Sequence, residues 1–235
     1  MSERKKLPRF TTPAGVFRYP KLTEPDYGTS EHPKPDGEYS VQLLFRADSP
    51  EAQQLLQQLT PHYEAAMEEA KKAFDNLPVG TRKKLKEVTK NPLFLTIYDR
   101  ETEEETGEIA FKFTMRASGE YKKGPKAGQK WSRAPLIFDA RGRRIQNPPA
   151  IWGGTVGKVA FEAASYFVPG TGAAGLSLKL IGVQILELVT AGERSAESLG
   201  FTPEEGYEYN PEDAVNTTTS NSSHEEDEDD GSGDF

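Results

Sequence analysis

The chain has 235 residues, no cysteine and a formal net charge of −8. That length suits one domain plus a tail, and the missing cysteines exclude a disulfide framework and thiolate chemistry. No apolar run reaches the length of a bilayer span, and MSERKKLPRF at the start lacks the apolar core of a signal peptide, so a cytoplasmic protein with no membrane partner is expected.

Residues 10–19, FTTPAGVFRY, read as extended chain broken by Pro13 and Gly15, and residues 20–37, rich in Pro, Gly and Asp, read as loop. EYSVQLLF (38–45) has the β-branched and aromatic content of a strand. A helix over about 50–77 follows. Ser49 is its N-cap, Pro50 suits the first helical position and Glu51 the positive end of the dipole. Ala52, Leu55, Leu56, Leu59, Tyr63, Ala66, Met67, Ala70 and Phe74 make one apolar stripe, which Pro61 interrupts with an expected kink or split. Beyond the basic stretch TRKKLKEVTK, strands are predicted at 93–98, 109–117, 131–138, 158–168 and 174–189, with DRETEEETGE as a hairpin loop. In the last strand Leu176, Leu178 and Leu180 alternate with Ser177, Lys179 and Ile181. Short strands separated by Gly/Pro turns predict a small antiparallel barrel or sandwich, with the long helix as an insertion packed on it. The division expected is a domain over 1–202 and a disordered acidic tail over 203–235, where NTTTSNSS is of low complexity.

Charge is segregated. From Pro203 onward there are twelve acids and no Lys or Arg; removing these from the 37 acids leaves 25 against 29 bases, so the body carries +4. Residues 110–160 hold eleven bases against two acids. A basic surface joined to an acidic tail fits a polyanion binder that carries its own competitor.

Two glycine strings tempt and fail. GTGAAG (170–175) matches a dinucleotide fingerprint, but the alternating strand after it cannot offer a helix N-terminus to a pyrophosphate. IWGGTVGKV has Trp152 at the first glycine position of a phosphate loop and Val159 in place of Ser/Thr. His32, His62 and His224 are far apart, so no metal site and no cofactor is expected, and no nucleophile with its base is visible.

The constellation that remains lies within AFKFTMRASGEYKKGPKAGQKWSRAPLIFDARGRR. Single-stranded nucleic acid presents phosphates to Lys and Arg and unpaired bases to aromatic rings, so a sequence-tolerant binder interleaves both. The candidate contacts are Lys112, Arg116, Tyr121, Lys122, Lys123, Lys126, Lys130, Trp131, Arg133, Arg141, Arg143, Arg144 and Lys158. Phe111 and Phe113 alternate in a strand and are expected in the core rather than on a stacking platform.

The order EPDYG (24–28), GEYSVQLLF (37–45), IAFKFTMRAS (109–118), LIFDARGRRI (136–145), IWGGTVGKVAFEAASYFVP (151–169), SLKLIGVQILELVTAG (177–192) and an acidic tail ending Asp234-Phe235 resembles the T7-type single-stranded DNA-binding proteins of bacteriophage replication. The resemblance implies a mainly β fold, an OB-fold-like five-stranded antiparallel barrel with one long inserted helix. It implies non-catalytic binding of single-stranded DNA without base readout in replication and recombination, inside the host cell. It also implies a tail that contacts the replication polymerase and other fork proteins. The acids, Asp229 and Asp230 among them, are expected to occupy the basic groove and to yield to DNA, while Asp234 and Phe235 anchor a partner. Such a tail can also reach a neighbour's groove, which is compatible with a homodimer. Two other readings stay open: a metal-dependent nuclease using Asp26, Asp36, Asp99 or Asp139, and a protein whose tail binds a basic partner while its body never touches DNA.

Overall fold

A computed structural model of the chain describes residues 6–190. Eleven strands and two helices follow one another as β1 (Arg9–Thr11), β2 (Gly15–Gly28), β3 (Pro33–Arg46), α1 (Pro50–Asp75), α2 (Val79–Leu85), β4 (Thr89–Lys90), β5 (Leu95–Tyr98), β6 (Glu105–Arg116), β7 (Ser118–Glu120), β8 (Lys130–Ser132), β9 (Leu136–Phe138), β10 (Val156–Val168) and β11 (Ala173–Glu187). Five of them close a barrel in the order β2-β3-β6-β11-β10 and back to β2. Four seams are antiparallel; the fifth, β6 with β11, is parallel and short, with Leu178 opposite Phe113 and Lys179 opposite Thr114. The expected OB-fold-like five-stranded closure is therefore present, with a parallel seam that local alternation could not announce.

Alternation explains the core. Phe17, Val41, Leu43, Phe111, Phe113, Val159 and Phe161 point into the barrel and are at most 1% exposed. The Phe113 and Phe161 rings meet at 4.9 Å between centroids, tilted by 57°. Phe111 and Phe113 are thus core residues, as expected. Lys112 between them faces out.

Helix α1 caps the barrel interior. Ser49 Oγ accepts from the Ala52 N–H at 3.1 Å, with Pro50 and Glu51 opening the helix. Leu55 and Leu59 enter the barrel core, while Ala66, Met67 and Ala70 pack with Ala174 at the start of β11. The helix runs unbroken through Pro61, against the expected split. One lost backbone bond is outweighed by an apolar stripe buried on both sides of it.

Two further expectations are corrected, at residues 20–37 and 131–138, and a helix appears that the sequence did not announce. Residues 20–37 are mostly strand: β2 and β3 extend through them to a turn at 29–32, with register shifts that absorb the prolines. Buried Leu22, and Lys34 bridging Asp26 at 2.8 Å and Glu38 at 2.7 Å, hold that bulged hairpin. The basic stretch after the long helix contains α2, which carries no buried residue and so no amphipathic signal. The strand predicted at 131–138 breaks at Arg133-Ala134-Pro135 into β8, paired with β7, and β9, paired with β11. After GTGAAG the chain forms strand β11, as the alternation required. Among the described residues, no helix is long and apolar enough to cross a membrane.

Candidate nucleic-acid interface

The outward face of the short β6–β11 seam is a groove. Past the two paired residues the strands are served by other partners: β6 by β5, and β11 by β4 and β9. The hollow left along the seam has a volume of about 700 Å³ and is lined by Arg9, Glu38, Thr114, Arg116, Trp131, Arg133, Glu162, Ser177, Lys179 and Ile181, among others. A second stretch of about 260 Å³ shares Thr114 and Ser177 with it and adds Lys112, Phe94, Leu95 and Tyr166. A third hollow, of about 650 Å³, shares Trp131 and Arg133 and adds Tyr121, Lys122 and Lys123.

The β7–β8 ribbon forms one wall. Gly119 stands opposite Trp131, and a Cβ on Gly119 would meet Trp131 Cζ2 at 2.6 Å, so the indole lies directly over the glycine. Arg133 Cζ sits 4.9 Å from the Trp131 ring centroid, and Arg133 Nε donates to the Arg116 carbonyl at 2.9 Å. Two backbone anchors fix the ribbon to the barrel: the Arg133 N–H donates to the Ala117 carbonyl at 2.8 Å, and Ser118 Oγ donates to the Asp36 carbonyl at 2.8 Å. Arg116 itself reaches Asp36 at 3.5 Å. Lys126 Nζ lies 5.9 Å from the Tyr121 ring centroid. The groove is therefore a strip of cations and rings with three acids along it, Glu38, Glu120 and Glu162. Glu162 is held by Arg9 at 2.8 Å and Glu38 by Lys34, so both arrive with a positive partner.

Of the sequence candidates, the fold gathers Lys112, Arg116, Tyr121, Lys122, Lys123, Trp131 and Arg133 along these connected hollows. Lys130 is exposed on β8 and Lys126 on the adjoining loop. Arg141, Arg143 and Arg144 belong to a separate turn at β9 and line none of these hollows. That turn is built on Asp139, whose carboxylate accepts from the N–H of Arg141 at 2.9 Å and of Arg143 at 2.8 Å, and from Arg143 Nε at 2.8 Å. These bonds, the Arg143 N–H first, hold the Asp139 carboxyl below its ordinary range. Gln184 Nε2 donates to the Ala140 carbonyl at 3.1 Å and ties the turn to β11. Lys158 on β10 stands opposite Gln184 on β11 and lines none of these hollows. Sequence reasoning missed Arg9 and Lys179. The alternation that put Leu178 and Leu180 inside did place Lys179 outside; only the barrel closure puts it beside Thr114.

The acids proposed for a nuclease are employed elsewhere. Asp26 serves Lys34, Asp36 faces Arg116, and Asp99 and Asp139 each cap a turn through backbone N–H groups. Among the described residues, no three His, Asp or Glu side chains gather as a metal site. The tail residues Asp229, Asp230, Asp234 and Phe235 lie outside the described residues.

A family model described as single-stranded DNA-binding protein, bacteriophage T7, matches residues 15–188, which is the barrel from the first residue of β2 to just past β11. The chain is similar to the single-stranded DNA-binding protein of Enterobacteria phage T3, with 27% identity over 190 residues, 80% of this chain and 79% of that one. It is 25% identical over 201 residues to the counterpart from Escherichia phage T7, covering 84% of each. In fold it resembles the crystal structure of a single-stranded DNA-binding protein encoded by bacteriophage T7, with a TM-score of 0.62 and 24% identity, over 87% of this chain and all of that one. With a match that spans the whole closed barrel, the chain belongs to the T7-type family of bacteriophage single-stranded DNA-binding proteins.

Proposed function

We propose that this protein binds single-stranded DNA without reading its sequence and without catalysis, in phage DNA replication and recombination, inside the host cell. The observation that carries the reading is the groove over the β6–β11 seam, where Trp131, Arg133, Arg116, Lys112 and Lys179 interleave rings with cations on a barrel of this family. A groove of this composition takes phosphates at its guanidiniums and ammoniums, and stacks unpaired bases on exposed rings. A rigid duplex hides its base faces and gains only the phosphate contribution. Lys122, Lys123, Lys126 and Lys130 extend the positive field past the ribbon, and Arg141, Arg143, Arg144 and Lys158 form a second basic region for backbone contacts.

The acidic segment 225–230 acts as a tethered competitor for the groove. Covalent attachment holds it at an effective concentration on the order of millimolar, which long DNA with many phosphates and bases overcomes. Released, the tail offers Asp234 and Phe235 to the replication polymerase and other fork proteins, the ring seeking an apolar pocket and the carboxylates nearby bases. Exchange of tails between copies gives a homodimer.

Binding of a dye-labelled oligonucleotide, measured across a salt titration for the full chain and for a form ending at Thr202, tests this. Tighter binding by the shorter form, with a steep salt slope in both, is the expected result. Failure of both to bind at low salt refutes the reading and leaves the acidic tail as the functional part.

A further inference from the structure

We propose that Tyr19, Arg18 and Arg100 form an additional nucleotide contact on the β2 side of the barrel, where one unpaired base stacks on the Tyr19 ring and an adjacent phosphate meets the two guanidiniums. This rests on the single-stranded DNA reading above and extends the path beyond the groove.

Tyr19 has φ +48, a left-handed conformation that costs an L residue with a bulky side chain free energy. It sits where the β2–β3 register shifts, and the outcome is a phenol ring turned outward with 55% of its surface exposed. Two cations converge on that ring, one from the adjacent residue and one from 81 residues further along the chain. Arg18 Cζ lies 4.7 Å from the ring centroid, and its Nη2 donates to the phenol oxygen at 3.2 Å. Arg100 Nη2, from the loop between β5 and β6, donates to the same oxygen at 3.4 Å. The phenol is held below its ordinary pKa, by the Arg18 hydrogen bond first and the Arg18 charge next. Among the described residues, no carboxylate lies within ion-pair distance of either guanidinium. Two like charges held at one exposed oxygen repel each other, and an anion bound between them relieves that repulsion.

The cluster also lines up with the groove. Arg18 pairs with Gln42 on β3, and Gln42 with Lys112 on β6, so the three form one outward row. With strands about 4.8 Å apart, the Arg18 backbone lies about 10 Å from that of Lys112, or roughly three phosphates of a stacked strand. Lys112 already lines the groove.

The test uses full-length protein and dye-labelled oligothymidylates of increasing length at fixed low salt. Tyr19→Asn removes the ring and keeps a residue that tolerates positive φ, and Arg100→Gln alters an exposed side chain only. On oligomers short enough for the groove alone, Tyr19→Asn is expected to match the native protein. On longer ones it weakens binding by about 5- to 150-fold, the effect of one lost stacked base. Arg100→Gln reduces the salt slope on the longer oligomers by about 0.7, one phosphate's contribution. Native affinity and slope for both variants at every length overturn the proposal and leave the groove reading standing. A loss of the same size at every length also overturns it, since Tyr19 would then belong to the primary contact. If the native protein binds no oligomer, the reading beneath the proposal fails and the proposal with it.

Discussion

Replacing Trp131 by Ala separates binding from folding. The indole lies over Gly119 on the β7–β8 ribbon, outside the barrel core, and the Arg133 guanidinium sits 4.9 Å from its ring centroid. Removing it forfeits a cation–π contact of about 0.5–1 kcal/mol and the packing of a partly buried ring over Gly119, so the unfolding free energy falls by about 1–2 kcal/mol, a shift of about 2–8 °C in Tm for a domain of this size. If a base stacks on the ring, the same change costs about 1–3 kcal/mol of binding, or about 5- to 150-fold in Kd. Phe113→Ala is the reverse case. That ring is fully buried against Phe161, and its loss costs about 3–5 kcal/mol of stability while leaving the groove surface chemically unchanged. The assay is oligonucleotide anisotropy beside thermal unfolding for both variants. Native affinity in Trp131→Ala refutes the assignment of Trp131 to the groove. A fall in its Tm as large as that of Phe113→Ala refutes its placement outside the core.

Trp131 and Trp152 are the only tryptophans, and Trp152 is half exposed on a loop that lines none of the hollows. DNA should therefore quench fluorescence in Trp152→Phe and leave it unchanged in Trp131→Phe; the opposite pattern would move the binding path. Arg133→Gln removes one groove cation and should lower the salt slope of binding by about 0.7, read from a titration beside the native protein. Asp139 has its folded pKa depressed below the ordinary 3.8, so its contribution to the β9 turn is fully present above that pH and is lost as pH falls through the lower folded value. Amide signals of Arg141 and Arg143 should follow that titration, and in Asp139→Asn they should not respond in that window. Gly182→Ala places a Cβ against the Leu136 carbonyl, so it should pry β9 from β11 and lower Tm, whereas Gly124→Ala, with open space around it, disturbs no neighbour and changes Tm by strain at its positive φ alone.

The long helix was legible because its determinants are local: Ser49, Pro50 and a stripe of 3- and 4-residue spacing act within a few turns of chain. Strand β11 was legible for the same reason, since alternation alone sorts Leu178 and Leu180 from Ser177 and Lys179. The hairpin of β2 and β3 was hidden. Local propensity in a Pro- and Gly-rich segment favours loop, and only cross-strand pairing and the burial of Leu22 override it. The same limit applied to the site. Composition identified a basic, aromatic segment but could not separate Trp131 and Arg133, which line the groove, from Arg141 and Arg144, which do not. Arg9, Thr114 and Lys179 come from three strands and meet only because the barrel closes with β6 parallel to β11. The sequence by itself determined the charge segregation, the helix, most of the strands and the kind of ligand the surface chemistry suits. The tertiary structure decided which of the surface rings and cations share one groove, because that depends on how the strands curve and close, which rests on contacts distant in the chain.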